Sequence, residues 1–294
     1  MKSFKKTQKW IIISASILLS LLIIGALSVP IMGRMHATNN HSDNTEQSYR
    51  QVKQVTVDND DDYLQYNIIE RNGAYGITNP DGKILVPIEM DTISYTGDFW
   101  GRWNRQAFIC KLKGQNIWVA YDKEGVCVFP SSRDYTRIRV CPLYHPKETY
   151  DMYEVERGNR VGLCDINGKE IVQPKEDIES FYLSWTPHFI YAEATLKNGL
   201  KTAYSIDGKR IIDEGYEYIE RFSTLNFSVL VCRNFSKDNC ALYNEKGECL
   251  FRKKGFLEGY AVNNNTRCYF SIYSGEKDIT EYYDMYGNKI SSQI

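Results

Sequence analysis

Apolar residues in this chain fall into short runs divided by turn-forming residues, and the runs recur. Six glycines, Gly82, Gly125, Gly168, Gly208, Gly247 and Gly287, stand 43, 43, 40, 39 and 40 residues apart. Three positions before each lies a residue able to cap a turn: Asn79, Asp122, Asp165, Ser205, Asn244 and Asp284. The spacing predicts a type I turn with Asx or Ser first and glycine fourth, where a left-handed backbone forms a bulge joining two strands. Five residues before each glycine and three after it the side chains are apolar: Ile77 and Leu85, Ala120 and Val128, Leu163 and Ile171, Ala203 and Ile211, Leu242 and Leu250, Tyr282 and Ile290. Read as cross-strand neighbours, these pairs predict six hairpins in one register.

Two further apolar runs precede each hairpin, for example Thr92-Ile93-Ser94-Tyr95 and Ala107-Phe108-Ile109-Cys110. Each repeat therefore holds three or four strands, and Val52 to Val57 reads as an added strand of the first. A sheet of about 40 residues cannot bury both its faces alone, so neighbouring repeats must cover one another. The expectation is an all-β domain over residues 51–294, a β-propeller-like ring of about six blades. An open β-solenoid is the alternative, because no strand from one terminus completes a blade begun at the other.

Ahead of the repeats, Trp10 to Met32 contain no charged residue. As a helix such a stretch reaches about 34 Å, enough to cross a bilayer core. Residues 1–9 carry Lys2, Lys5, Lys6 and Lys9 against Arg34 alone just behind the run. That asymmetry predicts one transmembrane signal-anchor over residues 10–32, the N-terminus cytoplasmic and the repeats extracytoplasmic. A cleaved signal peptide is the competing reading, since Ala26-Leu27-Ser28 resembles a small-residue cleavage site. Residues 33–50 are polar and aperiodic, a tether.

The repeats resemble the WG repeat, a bacterial family named for a Trp-Gly pair within an aromatic, Gly, two aliphatics, Asp, Gly, Lys and aliphatic pattern. Ala74-Tyr75-Gly76-Ile77-Thr78-Asn79 with Gly82-Lys83 and Val86-Pro87 is the nearest copy. Arg160-Val161-Gly162-Leu163-Cys164-Asp165 with Gly168-Lys169 keeps the glycine, Trp118-Val119 keeps the aromatic, and the last three repeats retain chiefly the turn and the apolar pairs. The resemblance implies a repeat scaffold for interaction and brings no catalytic motif.

Charge and rare residues narrow the chemistry. With 36 basic and 37 acidic side chains and no basic stripe, the field that draws proteins onto nucleic acid is missing. The 4 histidines are His36 and His41 in the tether and His145 and His188 in different repeats, none in a catalytic or zinc pattern. Asp58, Asp60 and Asp62 alternate as in a calcium loop, but Tyr63 stands where the sharp turn needs glycine, so an acidic linker is the expectation. No cofactor is expected.

All 8 cysteines lie beyond residue 100. Cys110 and Cys232 stand 15 residues before their glycines, and Cys127 and Cys249 stand 2 after. These recurring places are ones that a third strand holds too far apart to bond. Cys232 and Cys240 flank a short connection and form the one candidate disulfide. Among 22 tyrosines, Tyr121, Tyr204, Tyr243 and Tyr283 share the position four before the turn glycine. On an exposed rim they would form a stacking surface; the alternative is packing between repeats. The expected function is a membrane-anchored scaffold that binds a protein or an envelope glycan. A glycan-acting enzyme, which would need converging carboxylates, is the alternative.

Overall fold

The computed structural model describes residues 49–59, 62–95, 107–144, 149–262, 267–274 and 279–291. Repeat one contains β1 (Arg50–Asn59), β2 (Asp62–Arg71), β3 (Ala74–Thr78) and the first half of β4 (Ile84–Tyr95). Repeat two takes the rest of β4, then β5 (Ala107–Leu112), β6 (Trp118–Asp122) and β7 (Cys127–Phe129). Repeat three has β8 (Arg137–Tyr144), β9 (Thr149–Arg157), β10 (Arg160–Cys164) and β11 (Glu170–Lys175). Repeat four has β12 (Ile178–Trp185), β13 (Ile190–Leu196) and β14 (Lys201–Ser205), its fourth strand reduced to the bridge between Tyr204 and Arg210. Repeat five holds β15 (Tyr218–Ser223), β16 (Ser228–Asn234), β17 (Asn239–Asn244) and β18 (Cys249–Lys254). Repeat six holds β19 (Phe256–Val262), β20 (Arg267–Ser274), β21 (Ile279–Asp284) and β22 (Lys289–Ile290). Every neighbouring pair is antiparallel, in five sheets, the first joining repeats one and two through the shared β4.

All six turns have the expected geometry. In each, the glycine N–H donates to the carbonyl of the capping residue three before it, at 3.0–3.1 Å. The capping side chain then accepts the N–H four residues on, as Asp165 Oδ1 does from Lys169 at 2.8 Å. The glycine φ angles lie between 77 and 92, the left-handed region that a Cβ disfavours.

The strand register corrects one detail. Ile77 faces Val86, Ala120 faces Phe129, Leu163 faces Val172 and Leu242 faces Phe251, one residue later than expected. Only Tyr282 with Ile290 keeps the expected pair. The cause is a bulge: two residues oppose one, as in repeat four, where the Ile211 and Ile212 N–H groups both donate to the Ala203 carbonyl.

The extra residue of each bulge becomes the seat for the next repeat. Gly125 lies on Leu85, Gly168 on Val128, Gly208 on Ile171, Gly247 on Ile211 and Gly287 on Leu250. A Cβ at Gly125 or Gly287 would come within 2.8 Å of the carbonyl beneath it, and closer still at Gly168 and Gly208. The turn glycine thus meets two demands, a left-handed φ and contact with the previous repeat.

Side chains alternate across each strand, so every inner sheet has one face toward the repeat before it and one toward the repeat after it. Five apolar clusters fill the five interfaces. Tyr66, Ile77 and Val86 meet Phe108, Cys110 and Val119 between repeats one and two, and Phe129 meets Tyr135 and Tyr153 between two and three. Leu163 meets Ile178 and Ala194 at the third, and Ala203 meets Leu230 and Tyr243 at the fourth. At the fifth, Leu242 and Phe251 meet Phe270 and Tyr283.

The outer face of repeat one departs from this pattern. Gln65, Asn67 and Thr78 occupy the places that Phe108, Cys110 and Tyr121 hold in repeat two. Gln51 Nε2 donates to Asn67 Oδ1 at 3.0 Å, and Gln54 and Gln65 pair at 3.4 Å. Beside these amides, Ile69 on the same side packs with Ala74 and Ile88 in a small buried apolar cluster.

The transmembrane segment expected at residues 10–32 and most of the tether lie outside the described residues. Among the described residues no α-helix occurs, and no helix is long and apolar enough to cross a membrane. On that finding the expected single-pass localisation, with the repeats extracytoplasmic, is withdrawn.

Candidate binding surface

The four tyrosines singled out by position face the preceding repeat. Tyr204, Tyr243 and Tyr283 are buried, and Tyr121 packs half-buried against the first cluster. Their rings meet neighbouring aromatics, Tyr283 with Phe251 at 4.8 Å and Tyr243 with Tyr216 at 6.4 Å, so their faces are used in packing. Their phenols are tied as well. Tyr243 donates to Asp213 and accepts from Arg252 at 2.8 Å. Burial, then the Asp213 hydrogen bond, raises the Tyr243 phenol far above its ordinary range.

The 8 cysteines are free, which corrects the candidate pair. Cys232 lies opposite Ala241, and Cys240 opposite Arg233. One residue out of register means opposite faces, so Cys232 joins the fourth cluster and Cys240 the fifth. Desolvation pushes the Cys110, Cys141, Cys164, Cys240 and Cys268 thiols up to about 12. Only Cys127 and Cys249 are exposed. Since the thiolate is the nucleophile, a thiol reagent at pH 8 should modify at most these two in the native protein and all 8 after denaturation. Intact-mass measurement checks this, and a third fast adduct would show that a repeat interface opens.

His188 Nδ1 lies 2.8 Å from Ser228 Oγ, and Nε2 lies 3.2 Å from the Leu225 carbonyl. The ring links repeats four and five, and Ser228 is buried. His145 and Asp60 lie outside the described residues. Asp58 and Asp62 sit on the paired strands β1 and β2. Among the described residues no three of His, Cys, Asp and Glu gather as metal ligands. Carboxylates are engaged in ion pairs instead, including Glu156 with Arg137, Glu170 with Arg157 and Glu193 with Lys201. A cleft of ≈ 480 Å³ lies between the turns of repeats one and two, lined by Leu64, Tyr66, Pro80, Lys83, Leu85 and Lys123 among others.

The surface feature that sequence reasoning missed is an aromatic strip on repeats five and six. Tyr218 begins β15, Phe235 opens the β16–β17 loop and Phe256 begins β19, at 56%, 52% and 38% exposure. Tyr218 meets Phe235 edge-on at 5.1 Å, and Phe235 stacks on Phe256 at 5.9 Å. The backbone beneath is fixed by Glu217, which accepts the Phe235 N–H at 2.9 Å and the Ser236 N–H at 3.2 Å. Hydrogen bonds from Ser236, then Phe235, hold the Glu217 carboxyl below its ordinary range. Asn234 Oδ1 accepts the Glu217 N–H at 2.8 Å, and the Gly255 N–H donates to the Asp238 carbonyl at 3.0 Å.

Arg233 completes the strip. Its guanidinium lies 5.1 Å from the Phe256 ring centroid, donates from Nε to the Leu257 carbonyl at 2.6 Å and pairs with Glu220 at 2.6 Å. Exposed rings with an arginine beside them are the composition of an interface hot spot. The available sequence signal was Phe235 itself, a large apolar residue inside the polar loop Asn234-Phe235-Ser236-Lys237-Asp238. No family model and no curated protein matches this chain.

Proposed function

We propose that the chain is a protein-binding repeat scaffold built from degenerate WG-like repeats, with the Tyr218–Phe235–Phe256 strip as its contact surface. The observation that carries this reading is the solvent exposure of three large rings whose backbone is fastened by Glu217, Asn234 and Arg233. Soluble surfaces rarely hold grouped aromatics without a use. A protein suits the strip better than a glycan. Sugar stacking needs open ring faces, whereas Phe235 and Phe256 spend theirs on each other, and two of the three rings have no polar tip for a hydroxyl.

The WG-like assignment is supported by Gly76 and Gly162, which hold the position of the family glycine. A Cβ there would meet the Val86 and Val172 carbonyls at 2.8 and 2.7 Å. An open stack rather than a closed ring is supported by three features. The Gly82 turn has nothing within 4 Å where its five equivalents sit on a preceding repeat. The outer face of repeat one carries the Gln51–Asn67 and Gln54–Gln65 amide pairs beside a small apolar cluster, and β4 runs without a break from the last strand of one repeat into the first of the next.

Affinity capture with the wild-type chain beside Phe235→Ala and Tyr218→Ser, read by quantitative mass spectrometry, tests the reading. A specific protein retained by wild type should fall at least tenfold with either variant, the loss of about 1.4 kcal/mol or more expected at a hot spot. Capture that is equal across all three chains would reject the strip as the contact surface.

A further inference from the structure

The cleft between the turns of repeats one and two lies where other turns place protein atoms. Counted from the turn glycine, Lys123 stands two places before, where turn four has Ile206 and turn six has Met285. Ile206 packs onto the cluster of the third interface and Met285 onto that of the fifth, whereas Lys123 lines an opening of ≈ 480 Å³. Lys83, one place after its glycine, matches Lys209, whose ammonium reaches the next turn and donates to the Lys246 carbonyl. Among the described residues the Lys83 ammonium closes onto no carbonyl, and it too lines the cleft.

The lining has an apolar part and a charged part. Leu64, Tyr66, Pro80 and Leu85 make up the first, and all but Pro80 belong to or pack on the cluster of the first interface. Beside them stand the ammonium groups of Lys83 and Lys123 and the carboxylate of Glu124. Lys123 Nζ and Glu124 Oε1 are 3.8 Å apart, a loose pair in contact with solvent that leaves both groups able to take a further partner. Asp122 is occupied by its own turn, its Oδ1 accepting the Glu124 and Val126 N–H groups at 3.0 and 2.7 Å. Burial, then the Glu124 and Asp122 carboxylates, push the Tyr66 phenol up to about 12, so negative charge stands close to that ring.

We propose that this cleft binds a zwitterionic α-amino acid with an apolar side chain, its ammonium to Glu124, its carboxylate to Lys123 and Lys83, and its side chain against Leu64, Pro80 and Leu85. A ligand with a negative charge alone would meet the Glu124 carboxylate, and one with a positive charge alone would meet two lysines. An ammonium and a carboxylate on one carbon suit a lysine and a glutamate held 3.8 Å apart, since each ligand charge then faces its opposite. An apolar wall with a few polar groups is the usual make-up of a small-molecule site, and ≈ 480 Å³ is within its usual size and admits an aromatic side chain.

A ligand-observed NMR titration of the full chain with L-phenylalanine, phenylpropanoate and phenethylamine tests this, because the three share a ring and the last two each lack one charge. Phenylalanine should bind saturably with a Kd of about 1 mM, and each single-charge analogue about tenfold more weakly or worse. Lys123→Gln and Glu124→Gln should each weaken phenylalanine by about tenfold with unchanged thermal unfolding, whereas Lys169→Gln, at the place of Lys83 in the third turn, should bind as the wild type does. Absence of saturable binding up to about 20 mM, equal affinity for either analogue, wild-type affinity in either cleft variant, or a loss with Lys169→Gln each overturns the inference. Phenylalanine held by the aromatic strip instead would be lost with Phe235→Ala and kept by the cleft variants, so the two sites can fail separately.

Discussion

Gly208→Ala is expected to destabilise the domain by about 4 kcal/mol, while Gly82→Ala, at the same place in the first turn, is expected to lose only about 1–2 kcal/mol. Both glycines adopt left-handed φ, +92 and +84, so alanine meets the same backbone penalty at each. The difference lies beneath them. Gly208 rests on the Ile171 carbonyl so closely that a Cβ forces repeats three and four apart, whereas nothing lies within 4 Å of Gly82. The excess of about 2–3 kcal/mol measures the seating contact itself. Urea unfolding of the two variants beside wild type, with the m-value checked for constancy, gives the comparison. Equal losses would mean that the turns need glycine for backbone reasons alone and that inter-repeat seating contributes nothing.

Breaking the Arg139–Glu154 charge pair of repeat three, whose carboxylate also reaches repeat four, should have the next largest effect. Glu154 on β9 is 2% exposed; Oε1 lies 2.7 Å from Arg139 Nη2, and Oε2 accepts the buried Phe181 N–H at 2.7 Å. Arg139→Met leaves a buried carboxylate with one amide as partner and is expected to destabilise by about 3 kcal/mol. Glu154→Gln keeps an acceptor for Phe181 and removes the charge, so about 1 kcal/mol is expected. The double variant should therefore be more stable than Arg139→Met alone, because no unpaired charge remains inside. Additive losses in the double-mutant cycle would show that the two side chains act independently and that an unpaired charge is not the source of the loss.

The turns were legible because their chemistry is local. An Asx or Ser side chain, two intervening residues and a glycine satisfy one another's hydrogen bonds within a few residues, so Asn79, Asp122, Asp165, Ser205, Asn244 and Asp284 announce six hairpins without any knowledge of what surrounds them. The hairpin partners were legible only to within one residue. Whether Leu85 or Val86 faces Ile77 depends on a bulge, and the bulge depends on where the next repeat's turn comes to rest.

The aromatic residues show the opposite case. Tyr121, Tyr204, Tyr243 and Tyr283 recur at one sequence position and so drew attention, but recurrence marks a site that every repeat needs, here the packing face. Tyr218 and Phe256 hold equivalent places at the head of β15 and β19, but Phe235 has no aromatic counterpart in another repeat. They gather because the chain folds a loop of one repeat against the first strand of the next, and nothing in their spacing foretells the 5.1 and 5.9 Å approaches. Cys232 and Cys240 likewise look adjacent along the chain. A one-residue register difference sends them to separate clusters.

The order of residues by itself determined the all-β class, the six-fold periodicity and the place and type of each turn, because these follow from backbone preferences and short-range hydrogen bonds. The tertiary structure alone decided which residue of each bulge is a seat, which rings are buried and which gather at the surface. Those outcomes depend on contacts between segments about 40 residues apart, where packing and desolvation outweigh any local preference.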